Sequence, residues 1–261
     1  MPDPAGASFQ DADVVDLYPH RPPYATQALD HIHNMAPDSG RLLDLGCGEG
    51  KIARPMTPRF DQVVAVDPSA NMIALGRTLP RGDAANLTWL QAYAEDAPLA
   101  GAFDVVTFAS SIHWMNPEQL FDRLAPHLHP RHLLAVVSGD TPHDPPWQDA
   151  WQGFLDKWVP ALTGQPVNSA QWCGSRRAYL DHVEVVDTQS FLSEPVQQSV
   201  DSFIKCQHSR DTFALSKLGS RRAAFHRELA ALLHPHADDA GQLTYRVKTD
   251  VTLATLTGAV G

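Results

Sequence analysis

Three glycines alternate in the stretch LLDLGCGEG, at Gly46, Gly48 and Gly50, and an acid, Asp44, stands two positions before the first. Glycine admits the left-handed backbone and lets a main chain come close to a ligand, so a strand running into such a turn reads as a binding element. Dinucleotides and S-adenosylmethionine are two ligand classes that use a strand, a glycine turn and a helix start in this way. The dinucleotide pattern G-x-G-x-x-G/A needs a small residue at position 51, where this chain has Lys51. The spacing G-x-G-x-G after an acid suits instead a ligand without a pyrophosphate whose charged end is an amino acid. Asp44 then lies near the ammonium group, with the backbone of Gly46 and Gly48 close to the methionine part and the ribose. About twenty residues on, the run VVAVD ends at Asp67, whose carboxylate can accept from both vicinal ribose hydroxyls. Taken alone, such an acid also reads as a helix cap or a turn residue.

Other reactive side chains are scattered. His113, in SSIHW, is a candidate general base because imidazole titrates near neutrality, and it reads equally as a histidine hydrogen-bonded under a lid. Trp114 reads as core, as a wall beside the cofactor or as a substrate platform. The stretch DLYPHRPPY carries Tyr18, His20, Arg21 and Tyr24, aromatic and cationic groups on a segment that can fold over the ligand. Tyr18 and His20 are alternative proton acceptors, and Tyr24 either meets the substrate or anchors the first helix. Trp147 and Trp151 fall at helical spacing, which serves packing or the lining of an acceptor pocket. Cys47 has no evident base beside it and reads as a small loop residue. The histidines at 31–33 and 127–132 lack a carboxylate partner set, so they are expected at the surface and no metal is expected.

These residues need elements to hold them. Strands are expected at 41–45, 62–66, 87–93, 103–109 and 132–138, with helices at 69–79 and 117–125, the pattern of a parallel sheet with crossover helices. Asn116 and Pro117 mark a helix start. Pro55 and Pro58 keep any helix after Gly50 short. Beyond Ser138 a tryptophan-rich amphipathic helix, a strand VEVVDTQSFL, two helices and a final strand LTYRVKTDVTLATL follow.

Thirty acidic against twenty basic residues give a formal charge of −10. That balance repels a phosphate backbone, and only the pairs Arg176-Arg177 and Arg221-Arg222 oppose it, so no nucleic-acid partner is expected. Cys47, Cys173 and Cys206 form no Cys-x-x-Cys pattern, which speaks against a disulfide framework or zinc site and fits a reducing compartment. No leader and no apolar run near the ~20 residues of a membrane span are evident. A soluble, cytoplasmic protein, monomer or homodimer, is the expectation.

The motifs LLDLGCGEG, VVAVDPSANMI, AYAEDAPL and FDVVTFASSIHWMN resemble, in order, those of class I S-adenosylmethionine-dependent methyltransferases. DLYPHRPPY, HWMNPEQLFDRLAPHLHP and the tail resemble the small-molecule, trans-aconitate methyltransferase-like group. The resemblance implies a Rossmann-like α/β fold, a seven-stranded, mostly parallel sheet with a helical lid. It implies one domain over 1–261, with an N-terminal lid segment 1–40, a cofactor core 41–139, and lid helices with closing strands over 140–261. For the cofactor S-adenosylmethionine it implies contacts from Gly46, Cys47 and Gly48, ribose held by Asp67, Met72 packed on adenine, Ala94 and Glu95 at the adenine edge, Ala109 at the end of the fourth strand, and Arg21 reaching the carboxylate. Tyr93 stands where relatives carry a small polar residue, and it stacks, bonds through its hydroxyl or points into the core. HDPPW resembles the base clamp of adenine amino-methyltransferases, but follows the fifth strand instead of the fourth and so reads as a turn before a helix. The implied reaction is in-line methyl transfer to an oxygen or nitrogen of a small-molecule acceptor. A binding protein without transferase activity, or one using the cofactor for cyclisation, is the alternative.

Overall fold

The computed structural model describes residues 9, 11–168 and 177–257; Cys173 and Arg176 lie outside them. The described residues divide into two compact units, one drawn from 24–139, 177–191 and 249–257 and the other from 9, 11–23, 140–168 and 192–248.

The first unit is built on β1 (Arg41–Leu45), β2 (Gln62–Asp67), β3 (Leu87–Gln91), β4 (Phe103–Ala109) and β5 (Leu128–Ser138). Successive side chains of a strand face opposite sides. Leu42, Val63, Ala65 and Val105 accordingly fall in one apolar cluster, and Leu43, Val64, Val66 and Val106 in another. With both faces covered, the central strands read as unbroken apolar runs. All four pairings among these strands are parallel, in the order β3-β2-β1-β4-β5. Their carboxyl ends therefore lie along one edge, where open α/β sheets bind ligands.

Two strand limits differ from expectation. β3 stops at Gln91, which leaves Tyr93 outside the sheet. β5 begins at Leu128, because that residue pairs with Phe103 across a register shift. The closing strand β9 (Gln242–Leu256) runs antiparallel to β5 from Asp250 to Ala254, and β7 (Val183–Leu192) also pairs with it. At 15 residues β9 is longer than β5 requires. Its first half takes on the short strands β6 (Pro142–His143) and β8 (Val196–Ser199), so the described residues form nine linked strands and not seven.

Helices α2 (Thr26–Met35), α3 (Ala53–Met56), α4 (Ala70–Thr78) and α5 (Pro117–Leu124) belong to the first unit. The starts of α4 and α5 are fixed by side-chain caps: Ser69 Oγ accepts from the Met72 amide and Asn116 Oδ1 from the Gln119 amide. α3 is one turn long, as Pro55 and Pro58 dictate.

The second unit contains α1 (Ala12–Leu17), α6 (Gln148–Thr163), α7 (Val200–His208), α8 (Leu215–Leu218) and α9 (Arg222–Leu233). Its core is aromatic, with Phe154 meeting Trp158, Phe213 and Phe225 at ring-centroid distances of 5.1–6.5 Å. α6 stops at Gly164, whose φ of 70° supplies the left-handed turn after the last helical residue. Among the described residues no helix is long and apolar enough to cross a membrane.

Candidate active site

The turn after β1 requires its glycines. Gly46, Gly48 and Gly50 have φ of 65°, 54° and 80°. A Cβ on Gly46 would stand 2.5 Å from Ser111 Cβ. Ser111 in turn donates to the Leu45 carbonyl at 2.7 Å, so the turn is clamped against the segment leaving β4.

Asp44 is wholly buried, and both of its oxygens face protein donors: Thr107 Oγ1 at 2.7 Å and the Ala53 amide at 3.1 Å. It thereby ties β1 to β4 and to the start of α3. Burial is the main force lifting its pKa to about 7; the Thr107 and Ala53 hydrogen bonds oppose the rise and the nearby Asp67 adds to it. The ammonium contact expected from sequence would have to reach a carboxylate that is wholly buried.

Asp67 closes β2 at 8% exposure. Its Oδ2 accepts from the Gly48 amide and its Oδ1 from the Ser69 amide, each at 2.8 Å. Burial raises its pKa, against the pull of these two amides. Each carboxylate oxygen keeps a second lone pair, the acceptor set that a vicinal diol needs. The acceptor chemistry of this edge therefore fits the ribose of a nucleoside, with glycine backbone on one side of the acid.

The remaining expected residues fall as follows. Cys47 is buried, and desolvation pushes its thiol pKa well up, so it is no nucleophile. Met72 is only 1% exposed, Ala94 is buried, and Glu95 Oε1 accepts from the Asn116 amide at 2.8 Å, which ties it to the start of α5. Tyr93 is 54% exposed, which rules out the core alternative. Ala109 ends β4 opposite Val137. Next comes Ser110, a non-glycine residue at φ 52°; such strain gathers at functional sites. Tyr24 reaches it, hydroxyl to Ser110 Oγ at 3.1 Å, while the Lys51 ammonium lies 5.7 Å from the centre of the Tyr24 ring. His113 and Trp114 sit half-buried on a single 3-10 turn with their rings 4.6 Å apart.

Tyr18, His20, Arg21, Trp147 and Trp151 belong to the second unit. Arg21 donates from Nε to Ser209 Oγ at 2.9 Å, stacks over the Tyr18 ring at 4.2 Å and lies 3.6 Å from Asp140. His20 Nδ1 is 2.9 Å from Ser202 Oγ, and burial lowers its pKa. Trp147 is 1% exposed and packs edge-on against Phe203 and Tyr245; Trp151 stacks on Phe154 at 5.4 Å. Trp147 is packed into the core, and Trp151 packs against it while staying partly exposed. Asp144 to Pro146 form the turn before α6, as the position of HDPPW after β5 implied.

One histidine departs from expectation. His132 is buried, with Nδ1 2.8 Å from the His129 carbonyl and Nε2 accepting from the Leu256 amide at 3.0 Å, and so joins β5 to β9. Sequence reasoning missed Thr107, Ser110 and Ser111, although two consecutive small polar residues at the carboxyl end of an apolar strand carry a signal: only small side chains tolerate a neighbouring glycine turn at this distance.

Residues 42–131 match the family described as a methyltransferase domain. An uncharacterized methyltransferase of Mycobacterium tuberculosis is 35% identical over 119 residues, 45% of this chain and 46% of that protein. The ubiquinone biosynthesis O-methyltransferase of Nitrobacter winogradskyi is 32% identical over 97 residues, 37% of each chain. The chain therefore spans less than half the length of these curated relatives. Among solved structures, a type II methyltransferase candidate from Anaeromyxobacter dehalogenans shares the fold, with a TM-score of 0.68 over 90% of this chain and 96% of that one at 21% identity. The glycine turn after β1 and the acid closing β2 both lie within the matched stretch, so residues 42–131 carry a methyltransferase domain by similarity.

Proposed function

We propose that the protein moves the methyl group of S-adenosylmethionine to an oxygen or nitrogen of a small-molecule acceptor. The observation that carries this reading is Asp67, held at the carboxyl end of β2 by the amides of Gly48 and Ser69 with acceptor capacity left over. In the proposal Asp67 holds the ribose hydroxyls, the Gly46–Gly48 backbone and Cys47 line the methionine end, and Met72, Tyr93, Ala94, Glu95 and Ala109 border the base and the methyl-bearing side. Asp44 shapes the turn from beneath.

S-Adenosylmethionine supplies a methyl group on a sulfonium, already a good leaving group. The protein's own work is therefore alignment and exclusion of water. His113, on the turn that follows β4, takes the proton of an acceptor hydroxyl at its imidazole. The Nitrobacter relative is named as an O-methyltransferase, which favours oxygen. The resemblance of the chain's ends to the trans-aconitate methyltransferase-like group supports a small acceptor, and the free thiols of Cys47 and Cys206 agree with a reducing, cytoplasmic setting.

Calorimetric titration with S-adenosylmethionine, S-adenosylhomocysteine and NADH tests this reading. Binding of both sulfur nucleosides without NADH is expected. Tight NADH binding, or none of the three, overturns it. Product analysis then separates methyl transfer, which releases S-adenosylhomocysteine, from cyclisation, which releases methylthioadenosine.

A further inference from the structure

The first unit carries a partly open pocket of about 130 Å³ at the carboxyl ends of β4 and β5. Phe108, Ile112 and Val136 give it an apolar lining, and Ser110 and His113 bring to it the turn just described. Across from them stand Tyr179, from the 3-10 turn at Ala178–His182, and Thr252, from β9. Burial raises the Tyr179 pKa, against the opposing pull of the Thr252 side chain, so it stays a neutral O–H.

Two properties limit what can enter. A cavity of about 150 Å³ admits benzene, so this pocket has room for about a single six-membered ring. Among the described residues its lining contains no Asp, Glu, Lys or Arg. An ammonium placed there would lose its hydration with no opposite charge to replace it, and a carboxylate would meet no cation in the lining itself, the Arg177 guanidinium acting on Tyr179 from outside it. The polar groups on offer are hydroxyls and one imidazole, which suit an uncharged hydroxyl-bearing ring.

We infer that this cavity receives the ring of a compact neutral phenol, with Tyr179 and Thr252 as specificity-determining residues, an inference that rests on the methyltransferase reading above. The phenolic oxygen then lies toward Ser110 and His113. That oxygen forms the bond to the methyl carbon as the carbon–sulfur bond breaks, the electron pair goes to sulfur, and the phenolic proton goes to His113.

Catechol and 3,4-dihydroxybenzoate are the probes. With S-adenosylhomocysteine saturating, calorimetry is expected to show millimolar or tighter binding of catechol and at least about tenfold weaker binding of its carboxylated analogue. Val136→Phe, which fills the cavity, and Tyr179→Phe with Thr252→Val, which keep its shape, should each weaken catechol binding by about fivefold or more while leaving the affinity for S-adenosylhomocysteine unchanged. Equal or preferred binding of the carboxylate, no catechol binding, or variants that bind catechol as the parent does overturn the assignment of the cavity alone. Failure to bind S-adenosylhomocysteine overturns the methyltransferase reading and the cavity assignment with it.

Discussion

The amide of Gly48 donates to Asp67 Oδ2 at 2.8 Å, so the acid that closes β2 also fastens the glycine turn that follows β1. One side chain serves both the ligand edge and the backbone that forms it. Asp67→Ala is therefore expected to act twice. It should weaken binding of S-adenosylmethionine by about tenfold or more, and it should lower stability by about 1–3 kcal/mol because the Gly48 and Ser69 amides lose their acceptor. Asp67→Asn, which keeps one acceptor oxygen but sets its NH2 against the other amide, should recover at most about half of the stability and little of the affinity. Titration calorimetry and urea denaturation on the same preparations separate the two effects; an unchanged affinity in both variants would remove the ribose assignment.

Asp44 predicts a pH dependence of the fold. Its pKa rises from an unfolded value of 3.8 to about 7 in the folded protein. The folded state then binds a proton that the unfolded state has released, so the stabilisation is complete below pH 4 and is lost as pH rises toward 7. Linkage puts the change at roughly 4 kcal/mol across that window. Asp67, also raised, contributes in the same direction. Asp44→Asn can accept from the Ala53 amide and donate to Thr107, so it should fold and show a flatter profile between pH 4 and 7. Urea denaturation at intervals across this range checks it, and an equally steep profile in the variant would assign the dependence elsewhere.

How much of this was legible in the sequence follows from what each residue depends on. β1, β2 and β4 could be read because a strand covered on both faces must be apolar throughout, and the glycine turn because its left-handed backbone leaves a residue-type signature. The state of Asp44 could not be read: its partner Thr107 is sixty-three residues away and is brought near only by the β1–β4 pairing. Tyr93 looked like the end of a strand because its type favours strands, yet the partner residues of β2 run out at Asp67, opposite Gln91. β6 and β8 are two and four residues long, too short for a period to register, and exist because β9 offers them an edge. Trp147 sits on a helical pattern that serves a core as well as a pocket, and only its packing against Phe203 and Tyr245 decides between them.

Gly46 should tolerate no side chain. Its φ of 65° strains any L residue, and a Cβ there meets Ser111 Cβ at 2.5 Å, a side-chain root that cannot rotate away. Gly46→Ala is expected to lose about 2–4 kcal/mol from the two effects together. Adding Ser111→Gly should return part of the packing loss and none of the backbone strain. Denaturant midpoints of the single and double variants check the coupling; strict additivity would show that the two residues do not press on each other.

Tyr24 holds the strained Ser110 by a 3.1 Å hydrogen bond, and His113 stands three residues further along the same segment. Tyr24→Phe deletes that bond while keeping the ring beneath the Lys51 ammonium. The direct loss is about 1 kcal/mol of stability, the ordinary net worth of a neutral hydrogen bond. The larger consequence is positional: with Oγ released, Ser110 is freer to leave φ 52°, and the turn that carries His113 shifts with it. On the methyltransferase reading this lowers kcat by about tenfold with the affinity for S-adenosylhomocysteine unchanged, because displacing a catalytic group by a fraction of an ångström costs alignment and not cofactor contacts. Single-turnover kinetics alongside calorimetry would detect the split. A fall in cofactor affinity of the same size would mean instead that Tyr24 supports the glycine turn, through Lys51, and not the segment after β4.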